Sequence, residues 1–126
     1  MAISDVFLVK AAYTALAKVA VVGIAKLAAE EGTNLVYRGL DPITQEVKYV
    51  GITARDFAVR EAEHKAAIGT GRELLDYEVV EGATGLSRRG ARILEQKLIN
   101  DYGLDNLLNK INSIAPSKWS LYGITP

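Results

Sequence analysis

The sequence predicts an α+β fold: a small three-stranded antiparallel sheet flanked by helices, preceded by an apolar N-terminal helix. Three observations predict it. Two short apolar runs, Leu35–Leu40 and Val47–Ile52, sit either side of Asp41-Pro42, where Pro presets φ for a turn and Asp accepts from the backbone beyond it. A third stretch, Leu74–Val80, alternates, with Leu75, Tyr77 and Val79 on one face and Asp76 and Glu78 on the other. Helix-length segments follow the paired runs and follow Ser87, so the order is α-β-β-α-β-α.

The first element is the most apolar. Val6–Ala28 is rich in Ala, Val and Leu, has no proline, and is broken only by Lys10, Lys18 and Lys26. At about 100° per residue, lysines eight apart are rotated by roughly 80°, which leaves a wide apolar face. It makes a poor signal peptide, with Asp5 where positive charge is expected. As a membrane span it is long enough, but three charges each cost roughly 2.5–3.5 kcal/mol near the bilayer centre. Two readings follow: a helix packed on the domain or on another copy, or a translocation-related or membrane-active segment. The chain accordingly divides into residues 1–33 and a domain over 34–126.

Glu30-Glu31-Gly32-Thr33-Asn34 reads as a polar break with Gly32 as helix C-cap. The two apolar runs then form a β-hairpin whose loop exceeds two residues, Gly51 ending its second strand. Thr53-Ala54-Arg55-Asp56 resembles a capping box opening a helix from about Ala54 to Ile68. Phe57, Ala58, Ala62 and Ala66 offer that helix an apolar seam, Glu61 can pair with Lys65, and Arg60 and His64 share a face. Gly69-Thr70-Gly71 stops it. Ser87 is the expected N-cap of the next helix, which runs to about Tyr102 before Gly103. Leu107–Asn112 is a short apolar and amide-bearing segment, and the tail with Pro116, Trp119 and Tyr122 has no regular pattern.

At 126 residues the chain suits one domain with a single core. It has no cysteine and one histidine, which excludes disulfides, thiolate metal sites and a multi-histidine zinc site. Any metal should be a hard cation on oxygen ligands, Mg²⁺ first. The net charge of zero argues against a nucleic-acid partner, but the distribution does not. Residues 34–81 carry six basic and nine acidic groups, residues 82–126 six and three, and Arg88, Arg89, Arg92 and Lys97 crowd one segment.

Tyr37 and Tyr49 on neighbouring strands, followed by a helix bearing Arg60, resemble the GIY-YIG nuclease superfamily. Tyr49-Val50-Gly51 matches its second signature tripeptide. Leu35-Val36-Tyr37 keeps the tyrosine of the first but has Leu in place of Gly. The similarity covers about residues 34 to 112. It implies a metal-dependent endonuclease acting on nucleic acid, DNA before RNA, with Tyr37, Tyr49, Arg60, His64, Glu95 and Asn109 in the catalytic roles. Glu95 would hold Mg²⁺, and Arg88, Arg89, Arg92, Lys97 and Lys110 would bind the nucleic acid. Taken alone, Glu95 reads as a solvated helix glutamate beside Arg92 or Lys97 rather than as a ligand, while for Arg60 pairing with Glu61 or Glu63 is the rival to phosphate recognition. Asn106 and Asn112 compete with Asn109, whose work is expected to be positional.

RILEQKLINDYGLDNLLNKINSI after YVGIT is similar to GIY-YIG domains at the C-termini of bacterial polymorphic toxins, of the contact-dependent inhibition and Rhs types. This implies delivery from a producing bacterium into the cytoplasm of a target cell, and a cognate immunity protein. Rival readings are a non-catalytic nucleic-acid-binding module of the same fold and a membrane-active protein using Val6–Ala28.

Overall fold

The computed structural model describes residues 31–126, so the expected helix Val6–Ala28 lies outside it. Within it, β1 (Glu31–Leu40), β2 (Val47–Thr53) and β3 (Asp76–Val79) form an antiparallel sheet in the order β2-β1-β3. Helix α1 (Phe57–Ala66) follows the hairpin and α2 (Arg88–Tyr102) follows β3. Short 3-10 turns occupy Arg72–Leu74, Leu104–Asn106 and Pro116–Tyr122. The expected small α+β architecture is therefore present.

Several boundaries differ from expectation. The polar stretch around Gly32 is the start of β1, not a break, because Gly32 N–H donates to the Gly85 carbonyl at 3.2 Å. Gly32 is consequently no helix cap, and the division at residue 34 falls inside a strand. Gly51 does not end β2, which pairs on through Thr53 opposite Leu35. The third strand is shorter than Leu74–Val80, since residues 72–74 wind into a 3-10 turn that leaves Leu74 exposed.

The hairpin loop works as its residues suggest. Asp41 Oδ1 accepts from the backbone N–H groups of Ile43 and Thr44, at 2.8 and 3.0 Å. After β2, Thr53 Oγ1 accepts from Arg55 N–H, but the cap of α1 is Asp56, whose carboxylate takes Ala58 N–H at 3.0 Å. The helix therefore begins three residues later than expected and stops two residues sooner. Ser87 caps α2 by accepting from Gly90 N–H.

The two helices are held on opposite faces of the sheet by different means. Against α2, Val36, Leu40, Val50 and Val80 pack on Ile93, Leu94, Leu98 and Ile99. Burying each such side chain stabilises by roughly 1.5–3 kcal/mol, so this face supplies most of the fold's apolar stabilisation. The opposite face is small: Tyr37, Leu75 and Tyr77, flanked by Leu35, Tyr49 and Phe57. The expected alanine seam is not what α1 buries. Ala58, Ala62 and Ala66 are exposed, and its one buried residue is His64. Lys65 donates to the Leu75 carbonyl instead of pairing with Glu61. Polar contacts, with Phe57 packed 5.7 Å from the Tyr37 ring as the one seam position that meets the sheet, fasten α1.

Candidate active site

The α1 face of the sheet is organised around Tyr37. Opposite it on β2 stands Gly51, and a Cβ there would lie 2.4 Å from Tyr37 Oη and 2.5 Å from its Cζ. Only glycine leaves room for the phenol to lie across the strand. Tyr37 is fully buried, hydroxyl included, and forms part of the wall of an open cleft. Tyr49 lies beside it at a ring separation of 6.2 Å.

Two groups from α1 converge on that hydroxyl. Arg60 Nε donates to Tyr37 Oη at 3.1 Å, and His64 Nε2 lies 2.7 Å from the same oxygen. The guanidinium can only donate, so the phenol accepts from Arg60, while the bond to His64 runs from the phenol to Nε2 or from Nε2–H to the phenol according to the imidazole tautomer. Its other ring nitrogen, Nδ1, is buried without a hydrogen-bond partner among the described residues. Stacking fixes the ring: Tyr77 lies parallel to it at 4.7 Å, and Tyr49 meets it edge-on at 4.9 Å. Tyr77 is itself tied down, its hydroxyl donating to the Arg72 carbonyl at 2.6 Å.

Electrostatics follow from this crowding. Burial, then the charges of Arg60 and Arg72, push His64 from the usual 6.5 down to about 4. His64 is thereby held uncharged at pH 7. Burial also drives the Tyr37 phenol well above its usual range, against the pull of Arg60. Burial disfavours the Arg60 cation, but its bonds to Tyr37 and to Glu63 outweigh that and raise its pKa. The pairing with Glu63 considered for Arg60 is present, Nη1 meeting its carboxylate at 3.1 Å.

The cleft, about 960 Å³, runs along the outer edge of β2. Tyr37, Tyr49 and Arg60 line one side, and Glu95 with Asn109 lines the other. Of the six expected catalytic residues, only His64 stays behind the wall. Asn109 performs the positional work expected of it. Its amide accepts from Val50 N–H at 3.0 Å and donates to Val50 C=O at 2.7 Å, replacing the two bonds of a neighbouring strand. Leu108 N–H adds a bond to the Lys48 carbonyl. Asn106 and Asn112 do other work: Asn106 binds the Tyr102 carbonyl, and Asn112 accepts from Gln96.

Glu95 sits at the cleft rim of α2, between buried Leu94 and buried Gln96. Burial raises its pKa, more than a Ser113 side-chain hydrogen bond and the charges of Arg88 and Arg92 lower it. The carboxylate is therefore under-compensated by its surroundings, which suits a cation. Among the described residues no three His, Cys, Asp or Glu side chains cluster, so the donor set fits an ion that keeps most of its water.

Arg88, Arg92 and Lys110 line the cleft as expected of cationic residues there. Arg89 and Lys97 do not. Arg89 leans over the Tyr122 ring at 5.2 Å on another surface, because consecutive helix positions point about 100° apart. Lys97 interacts instead with Asp101, one turn along α2. Two contributors escaped the sequence reading. Arg72 lines the cleft from the turn after Gly71, and Tyr77 clamps the imidazole. Tyr77 was visible as an inward strand position, whereas nothing local marks Arg72. Comparison with protein families, with characterised proteins and with solved structures returns no match.

Proposed function

We propose that the protein is a metal-dependent endonuclease that hydrolyses phosphodiester bonds, DNA before RNA. The observation that carries this reading is the convergence of Tyr37, Tyr49, Arg60, Glu95 and Asn109 on one cleft whose other charges are cationic. Tyr37 and Glu95, 58 positions apart in sequence, border the same cleft.

Hydrolysis needs a water deprotonated, charge on the phosphoryl oxygens balanced and the leaving oxyanion stabilised. Mg²⁺ or a similar divalent cation held at Glu95 would supply charge for the phosphoryl and leaving oxygens. The attacking water gives its proton to Tyr37 Oη while the phenol proton passes to His64 Nε2, so the phenol never has to ionise. A phenol near 10 is about one part in 10³ ionised at pH 7, and burial makes that fraction smaller, so such a relay is required. Arg60 stays bonded to Tyr37 and turns its remaining N–H groups to the phosphate, which a planar guanidinium recognises bidentately. Gly51 and Asn109 hold the Tyr37 ring and the β2 backbone in register with it.

The resemblance to polymorphic-toxin nucleases extends the reading to an antibacterial toxin domain, delivered into the cytoplasm of a target cell and matched by an immunity protein that covers this cleft. The test is incubation of purified protein with plasmid DNA and total RNA, with Mg²⁺ and with chelator. Chelator-sensitive cutting is the expected result. Binding without cutting would instead indicate a non-catalytic binding module.

A further inference from the structure

A second concavity, about 500 Å³, lies on the other side of Arg88 and Arg92 from the cleft. Arg89, Lys118 and Tyr122 complete its charged and aromatic lining, together with apolar positions such as Ile114. Four cations border it and no carboxylate does. None of Arg88, Arg89, Arg92 and Lys118 makes an ion pair with a carboxylate among the described residues. Two of them are held in place rather than left to solvent. The Arg89 guanidinium rests on the Tyr122 ring, and Arg92 donates to the Ser113 carbonyl. Guanidinium groups held in place around a concave surface, without a carboxylate at ion-pair distance, are suited to phosphate oxygens.

We propose that this concavity is a second phosphate subsite, which takes the nucleic-acid strand as it leaves the cleft. It rests on the nuclease reading and adds to it the footprint: the protein grips a strand on both sides of the Arg88–Arg92 ridge. The shared ridge is what favours a continuous strand over a separate acidic protein. Arg88 and Arg92, one turn apart on α2, border both concavities, so consecutive phosphates cross it without an uncharged gap. Arg89 and Lys118 serve the outer concavity alone.

The experiment is fluorescence anisotropy with labelled single strands of about four and about twelve nucleotides, in chelator, over about 50 to 300 mM salt. Each phosphate contact to a single strand contributes a slope of about 0.7 to the salt dependence of affinity. Wild type should bind the longer strand more tightly. The double variant Arg89→Gln/Lys118→Gln should lower its slope by about 1.4 and bring its affinity near that of the short one. The charge-keeping pair Arg89→Lys/Lys118→Arg should retain most of the length dependence, which separates charge from folding. Wild-type length dependence and slope in the Gln variant would overturn the subsite while leaving the nuclease reading standing. Wild type with no affinity for either strand would remove both.

Discussion

An imidazole clamped between two tyrosines has its protonation decided by its surroundings, and the kinetics should show it. With His64 held down to about 4, the cleavage rate should have no histidine step near 6.5. Single-turnover rates across pH 5 to 8.5 check this, and an inflection near 6.5 that disappears in His64→Gln would contradict the buried, neutral assignment. Arg60→Lys keeps the charge but loses the planar fork that spans Tyr37 and Glu63, and should slow cleavage by about 10²-fold. Because both side chains act through one hydroxyl, the double variant should lose less than the product of the single losses. At Glu95 activity and stability should separate. Glu95→Gln should abolish Mg²⁺-dependent cutting yet raise the melting temperature at pH 7, since a desolvated carboxylate is removed. The stabilisation should fade below the ordinary carboxyl pKa, where Glu95 is protonated in both folded and unfolded chains.

At the scale of elements, α1 shows where sequence reasoning succeeds and where it fails. Its existence and the shared face of Arg60 and His64 were legible, because helical spacing alone places i and i+4 together. Its buried face was not. Apolar spacing pointed to Phe57, Ala58, Ala62 and Ala66, of which only Phe57 packs on the sheet, and the helix docks mainly through His64 and the Tyr37 hydroxyl, a contact 27 residues apart in sequence that periodicity cannot register. Glu95 and Asn109 were legible from the resemblance, but the separation of Arg89 from the cleft needed the actual rotation of α2. The strand pairing makes one sharp demand. Gly51→Ala should displace the Tyr37 ring, lower stability by about 1–3 kcal/mol and cost most of the activity, as measured by denaturant unfolding and cleavage together. An active, equally stable alanine variant would mean that the ring is not fixed by this contact.

For the molecule as a whole, the same burial that readies the site makes folding sensitive to acid. The folded His64 pKa, about 4, lies below the unfolded 6.5. Below 6.5 the unfolded chain takes up a proton that the native state refuses, so stability present above that pH is lost as pH falls through 4. The loss should approach about 3 kcal/mol. Glu95 opposes it, because a raised carboxyl pKa favours the native state on acidification. Denaturant titrations at pH 7, 5.5 and 4.5 should show a fall in wild type that His64→Gln largely removes.

The Asn109 amide that stands in for a strand on Val50 has a consequence for how the activity arises in time. It reaches β2 across 59 residues, from a segment that follows every other expected site residue in the sequence. Synthesis at about 5–20 residues per second is slower than loop closure or hairpin formation, so the order of synthesis sets the order of assembly. A chain emerging from the ribosome would assemble Tyr37, Arg60 and His64 while its cleft still lacked the far wall. The cleft is thus finished only after Asn109 has been synthesised and has docked on β2.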